Sequence, residues 1–235
     1  MTPTPEEARD IALASRILAR RGIVDAFGHV SLRRTDGGPG FVMSRSVAPA
    51  LVGVDDVLVL DAAGETASGE IRTPFLERFI HAEIYRARPD VQAVVHSHSH
   101  AVIPYSIVKD APLRPVFHMA GFLGEGAPIF EIRDHAGPES DMLVRNASLG
   151  RALAEVLGSG AVVLMRGHGS PVVGSSLPEA VFRAVYLEAN ARIQSDALVL
   201  GTVTALTAAE ARNSAEANAG QINRAWTLWC GEVDF

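Results

Sequence analysis

Val94-Val95-His96-Ser97-His98-Ser99-His100 is the stretch that most limits what this chain can become. The apolar run before it, Val91-Gln92-Ala93-Val94-Val95, predicts a buried strand that ends in three alternate histidines. Side chains i and i+2 of a strand share a face, so His96 and His98 are expected to present two imidazoles to one point. A lone histidine near a strand end is ordinarily a satisfied polar group. Alternating histidines at the mouth of a buried strand instead suit a divalent metal, for which neutral imidazole is a common ligand. Further donors must then come from elsewhere in the chain. Arg166-Gly167-His168-Gly169 follows a second apolar run, Ala161-Val162-Val163-Leu164-Met165, and again delivers a histidine at a strand end. Glu77 falls in a helical stretch upstream of His96. Three histidines, a carboxylate and positions open to substrate describe a catalytic rather than a structural site.

Helices and strands alternate along the rest of the chain. Thr4-Pro5-Glu6-Glu7 predicts a helix start, with Thr4 at the N-cap, Pro5 at N1 and Glu7 closing a capping box at N3. Ile11, Leu13, Ala14, Ile17 and Leu18 supply its apolar stripe and Gly22 its stop. Ala26-Phe27-Gly28-His29-Val30-Ser31-Leu32-Arg33 is a glycine turn entering a strand. Asp36-Gly37-Gly38 turns it back as Phe41-Val42-Met43-Ser44. At Ser44-Arg45-Ser46, an arginine between hydroxyls suits a carboxylate or a phosphate. Val57-Leu58-Val59-Leu60 predicts another strand. Thr73-Pro74 is expected to open a helix to about Arg88, with Glu77 and His81 one turn apart on one face. Residues 149–157 predict an amphipathic helix, and Leu177-Pro178-Glu179 opens a long one. The tail from Ala208 reads as helical, with Trp226 and Trp229 as packing or subunit anchors. There is no Rossmann glycine fingerprint and no phosphate loop, so the pattern supports α/β layering on a sheet with antiparallel pairs.

Composition narrows the partners. A chain of 235 residues, 48% apolar, can bury a sizeable core as a single domain over residues 1–235. A net charge of −6 without a basic run argues against nucleic acid. No apolar stretch approaches the ~20 residues of a membrane span. The N-terminal residues lack the basic and apolar regions of a secretory signal, and one cysteine, Cys230, fits a reducing cytoplasm.

Gly28-His29-Val30-Ser31, Glu77 with His81, Arg88-Pro89-Asp90, Val95-His96-Ser97-His98 and Gly167-His168-Gly169 together resemble the class II aldolase/adducin family. The resemblance runs from about Ala8 to Gly201. It implies a three-layer α/β/α fold with a central, largely antiparallel sheet, and a homotetramer with active sites at subunit interfaces. It also implies that His96, His98 and His168 hold the metal and that Glu77 is the acid/base carboxylate. His100 matches no ligand position.

The departures from the family pattern point to one branch. Its sugar-phosphate enzymes have asparagine where this chain has His29, and a Thr-Gly phosphate loop near Arg45-Ser46. They carry two serines where this chain has Phe75 and Leu76. Exchanging two hydroxyls for apolar groups removes hydrogen bonds that a phosphate would miss, at roughly 1–3 kcal/mol each. The same exchange offers a wall for a flat ring, and Arg45 remains as a carboxylate fork. His29, Ser44-Arg45-Ser46, Phe75-Leu76 and Phe117-His118-Met119 resemble the metal-dependent aromatic decarboxylases of the family. The implied substrate is a small hydroxylated aromatic carboxylate, first a 3-hydroxy-2-methylpyridine-4,5-dicarboxylate of vitamin B6 degradation. A dihydroxyphthalate or a sugar phosphate is the alternative. Mn²⁺ is the implied cofactor, with Zn²⁺ or Fe²⁺ also suited to the ligands, and Glu77 or His118 is the expected proton carrier.

Overall fold

The computed structural model describes residues 2–233. Its helices are α1 (Pro5–Arg20), α2 (Arg78–Ala87), α3 (Ile103–Ile107), α4 (Arg133–Ala136), α5 (Ala147–Leu157), α6 (Leu177–Leu200), α7 (Ala208–Ala219) and α8 (Ile222–Cys230). Its strands are β1 (His29–Arg33), β2 (Phe41–Ser44), β3 (Val57–Leu60), β4 (Ala93–Ser97), β5 (Ile129–Phe130), β6 (Leu164–Met165) and β7 (Ser170–Gly174). Five strands form one sheet in the order β3-β2-β1-β4-β7, and every neighbouring pair is antiparallel. β5 and β6 form a separate parallel pair.

The alternation of side chains along these strands builds two cores. Val30, Leu32, Val42, Val57, Val59, Ala93, Val95 and Val172 pack with α1 and α6 on one face. Phe41, Met43, Leu58, Leu60, Val94 and Val173 pack with α2 and α5 on the other. Both faces of the sheet are covered, which is why its strands read as near-continuous apolar runs. The three-layer α/β/α arrangement with a largely antiparallel sheet is therefore the fold. No helix among the described residues is long and apolar enough to cross a membrane.

Local signals set several boundaries. Thr4 Oγ1 accepts from the Glu7 amide at 3.1 Å, and Glu7 Oε2 accepts from the Thr4 amide at 2.8 Å, completing the expected capping box. Glu7 Oε1 also accepts from the Thr35 amide at 2.8 Å, which ties α1 to the β1–β2 hairpin. Asn146 and Ser176 cap α5 and α6.

One expected boundary is wrong. The helix does not begin at Thr73-Pro74: α2 starts at Arg78, and Glu77 stands in front of it at φ −87°, ψ 20°. Pro74 instead bridges Arg45 beside the sheet. Glu77 is thus fixed by the entry to a helix rather than by a helix interior.

Candidate metal centre

Register in the sheet creates the site. His29 at the start of β1 pairs with His96 near the end of β4, and Ser97 pairs with Ser170 of β7. The chain folds back from Met165 to Gly169 in a tight turn that holds His168. A Cβ on Gly169 would lie 2.1 Å from the Ser97 carbonyl oxygen, so only glycine lets this turn approach β4 so closely. Gly28, at φ +96°, does the same before β1, where a Cβ would lie 3.0 Å from the His96 carbonyl oxygen.

Glu77, His96, His98 and His168 converge, with one donor atom from each within 4.8 Å of all the others. His98 Nε2 is 3.2 Å from His96 Nε2 and 3.0 Å from His168 Nε2. Glu77 Oε2 is 3.5 Å from His96 Nε2 and 3.3 Å from His168 Nε2. Donors about 2.0–2.1 Å from a tetrahedral ion would be spaced by about 3.3 Å. Four of the six spacings lie near that figure, so the cluster can gather around one divalent cation, and imidazole with carboxylate suits Mn, Fe or Zn.

The surrounding chain aims these donors. His168 Nδ1 donates to the Met142 carbonyl at 2.9 Å, which leaves Nε2 as the lone-pair nitrogen facing the cluster. The Val144 amide donates to Glu77 Oε1 at 2.9 Å, leaving Oε2 for the cluster. Met142 carries a φ of +68°, unusual for a residue with a side chain. That conformation lets one short segment hold two donors through its backbone.

Electrostatics agree with a ligand set. Burial acts to raise Glu77, but hydrogen bonding to His168 and His96 outweighs it and holds the carboxyl well below its usual range. Burial, then repulsion from His96, pushes His98 down to about 4. Burial also acts to lower His168, yet Glu77 raises it above the ordinary value. A cation in the cluster would take over that pairing with Glu77 and release the proton.

A cleft of about 410 Å³ opens beside the cluster. Ala26, Phe27, Val47, Ala48, Phe75, Leu76 and Leu143 make its walls apolar, while His29, Ser46, Glu77 and His98 supply polar edges. That volume falls in the range of small-molecule sites. The His29 ring lies 4.6 Å from Phe75 and 5.0 Å from His96, so it joins the wall to the cluster.

Two expectations need correction. Arg45 is not a free fork over the cleft: its Nε donates to Asp56 Oδ1 at 2.6 Å, and of Ser44-Arg45-Ser46 only Ser46 lines the cavity. Ser44 is buried in β2. His118 is exposed at the start of a 3₁₀ segment, against Phe117, and within one chain it is not brought to the cleft. Sequence reasoning also passed over the buried polar chain behind His29. His29 Nδ1 and His81 Nε2 are 2.7 Å apart, His81 Nδ1 and Ser31 Oγ 2.6 Å, and Ser31 Oγ and the Tyr85 hydroxyl 2.7 Å. The signal was present: His29 and Ser31 alternate on one strand face, and His81 and Tyr85 sit one turn apart on α2.

The chain is similar to several known proteins. The family model of the class II aldolase and adducin N-terminal domain matches residues 9–195. The chain is 37% identical to "Decarboxylase tropJ" of Talaromyces stipitatus, over 99% of this chain and 96% of that protein. It is 32% identical to a 3,4-dihydroxyphthalate decarboxylase of Arthrobacter keyseri, over 76% of this chain and 73% of that protein. Among solved structures, an aldolase II superfamily protein from Pseudomonas syringae superposes with a TM-score of 0.80 at 22% identity. That match covers 97% of this chain and 93% of the other.

Proposed function

The chain belongs to the class II aldolase and adducin family, and on that premise we propose that it is a metal-dependent decarboxylase of an aromatic acid bearing a hydroxyl ortho to the departing carboxylate. The observation that carries this reading is the four-donor cluster opening onto an apolar-walled cleft. Its decarboxylase relatives support a carbon–carbon lyase. His96, His98 and His168, with Glu77, would hold the ion, which when bound supplies Lewis-acid stabilisation of negative charge on a substrate oxygen.

The chain's own residues then do three things. Phe75, Leu76, Phe27 and Leu143 bind the flat ring and exclude water from it. His29 and Ser46 orient its polar substituents. Glu77, a donor to the ion until substrate takes its place, is then free as a carboxylate to take the hydroxyl proton at Oε2 and return it to the ring carbon as the bond to the carboxyl group breaks. Carbon dioxide leaves, and the electron pair it leaves behind takes up that proton.

The test is a substrate panel. Metal-loaded protein is incubated separately with a dihydroxyphthalate, 3-hydroxy-2-methylpyridine-4,5-dicarboxylate and fuculose 1-phosphate, while carbon dioxide and aldehyde release are followed. The Arthrobacter keyseri relative is named for a dihydroxyphthalate, which favours that ring over the pyridine. We expect carbon dioxide from an aromatic acid and no aldehyde from the sugar phosphate. Rapid aldol cleavage would restore the aldolase reading.

Assembly is part of the proposal. Phe27 and Leu76 beside the cleft, and Ile107 beside the His168 turn, expose 65%, 46% and 56% of their surfaces. A neighbouring subunit that covers them also closes the site. Light scattering should give a homotetramer, and a stable active monomer would reject it. The reducing cytoplasm is the compartment proposed, with Cys230 kept as a thiol.

A further inference from the structure

The buried chain behind His29 has a direction. Tyr85, at one end, has a single proton to give. Its hydroxyl lies 2.7 Å from Ser31 Oγ but 3.4 Å from the Gln92 carbonyl, which already accepts from the Arg33 amide at 2.8 Å. The short contact is the better bond for that proton. Tyr85 therefore donates to Ser31, Ser31 to His81 Nδ1, and His81 Nε2–H to His29 Nδ1. In the opposite polarity the tyrosine proton would be left with the long, already satisfied carbonyl. Burial pushes the Tyr85 phenol well above its usual range, so the proton at this end is firmly held.

We infer that His81, anchored by Ser31 and Tyr85, is the positioning residue that fixes His29 as the Nε2–H tautomer, making His29 a hydrogen-bond donor to an anionic oxygen of the substrate. His29 lines the cleft, and with Nδ1 tied to His81 it has Nε2 left to offer. The assignment rests on the aromatic-acid reading above and adds its recognition element. A carboxylate substrate is an acceptor, and the chain aims a donor at it from a ring clamped between Phe75 and His96. The arrangement moves no net proton, since every group in the chain donates toward the cleft.

Two measurements test it. The first is the ¹⁵N ring spectrum of the zinc-loaded wild-type protein, with His29 assigned from its loss in His29→Phe. An Nε2–H pattern is expected, and an Nδ1–H pattern would overturn the assignment even if no aromatic acid proved to be a substrate. The second is the kinetics of His81→Phe and His81→Gln, with turnover normalised to bound metal. Loss of the aimed donor should raise KM by about 10- to 100-fold while kcat per metal site changes little. A variant that is merely destabilised would lose active fraction at constant KM. The glutamine amide can occupy the place of Nε2–H, so His81→Gln should recover most of the KM. If His81→Phe decarboxylates with the wild-type KM, or if glutamine rescues nothing, the positioning role fails while the decarboxylase reading stands. If no aromatic acid is turned over by the wild type, that reading fails and the ring spectrum alone decides this one.

Discussion

His98→Ala should purify without its metal and without turnover. His98 Nε2 is the shared neighbour in the cluster, 3.2 Å from one imidazole nitrogen and 3.0 Å from the other. Removing it cuts the donor set to two histidines and Glu77 and leaves a gap on the cleft side, where water can compete for the ion. A metal-assisted step receives several kcal/mol of charge stabilisation from its ion, so losing the ion should cost about 10³-fold or more. The fold should survive. His98 lies just past the end of β4 and is only partly buried, so alanine opens no core cavity. Elemental analysis should fall from about one Mn, Fe or Zn per chain in the wild type to far below one, with a thermal midpoint close to that of the metal-stripped wild type. A metal-free His98→Ala protein with wild-type activity would sink the proposed mechanism.

The parts of this site that the sequence made visible are those set by local periodicity. His96 lies in β4 and His98 one residue past its end, and the extended i, i+2 alternation carries both to one face. The capping box at Thr4 and Glu7 was legible for the same reason, because both partners lie within one helical turn. What was hidden depends on residues far apart in the chain. Nothing near Arg45 announces that Asp56 will take its Nε, since that pairing arises only after β2 and β3 align. The proline at 74 suggested a helix start, yet tertiary pairing with Arg45 claimed it and moved the start past Glu77. The grip of Met142 and Val144 on His168 and Glu77 is made by backbone atoms, which leave no mark in residue type. His118 looked close to the chemistry because of its motif, but the segment that carries it packs against α6 and α7 instead.

Glu77→Gln should separate holding the metal from moving the proton. Glutamine has the same shape, and its carbonyl oxygen can keep the Val144 amide that Glu77 Oε1 accepts at 2.9 Å. Alanine would be a poorer probe, because it leaves that buried amide unpaired at about 1–3 kcal/mol. At the other oxygen the consequence is chemical. Oε2 faces His96 and His168 at 3.5 and 3.3 Å, and an amide placed there can neither accept the hydroxyl proton nor return it to carbon. The three imidazoles remain, so about one ion per chain should still bind when metal is in excess, though more weakly than in the wild type. Turnover should fall by about 10²-fold or more if Glu77 carries the proton in the rate-limiting step. Because the wild-type carboxyl sits well below its usual range, the acid limb of the pH–rate profile should not report its simple titration. The loss in Glu77→Gln should therefore appear across the whole pH range rather than as a shifted limb. If the metal-loaded variant turns over at the wild-type rate, the proton travels by another group, and His118→Gln becomes the variant to measure next.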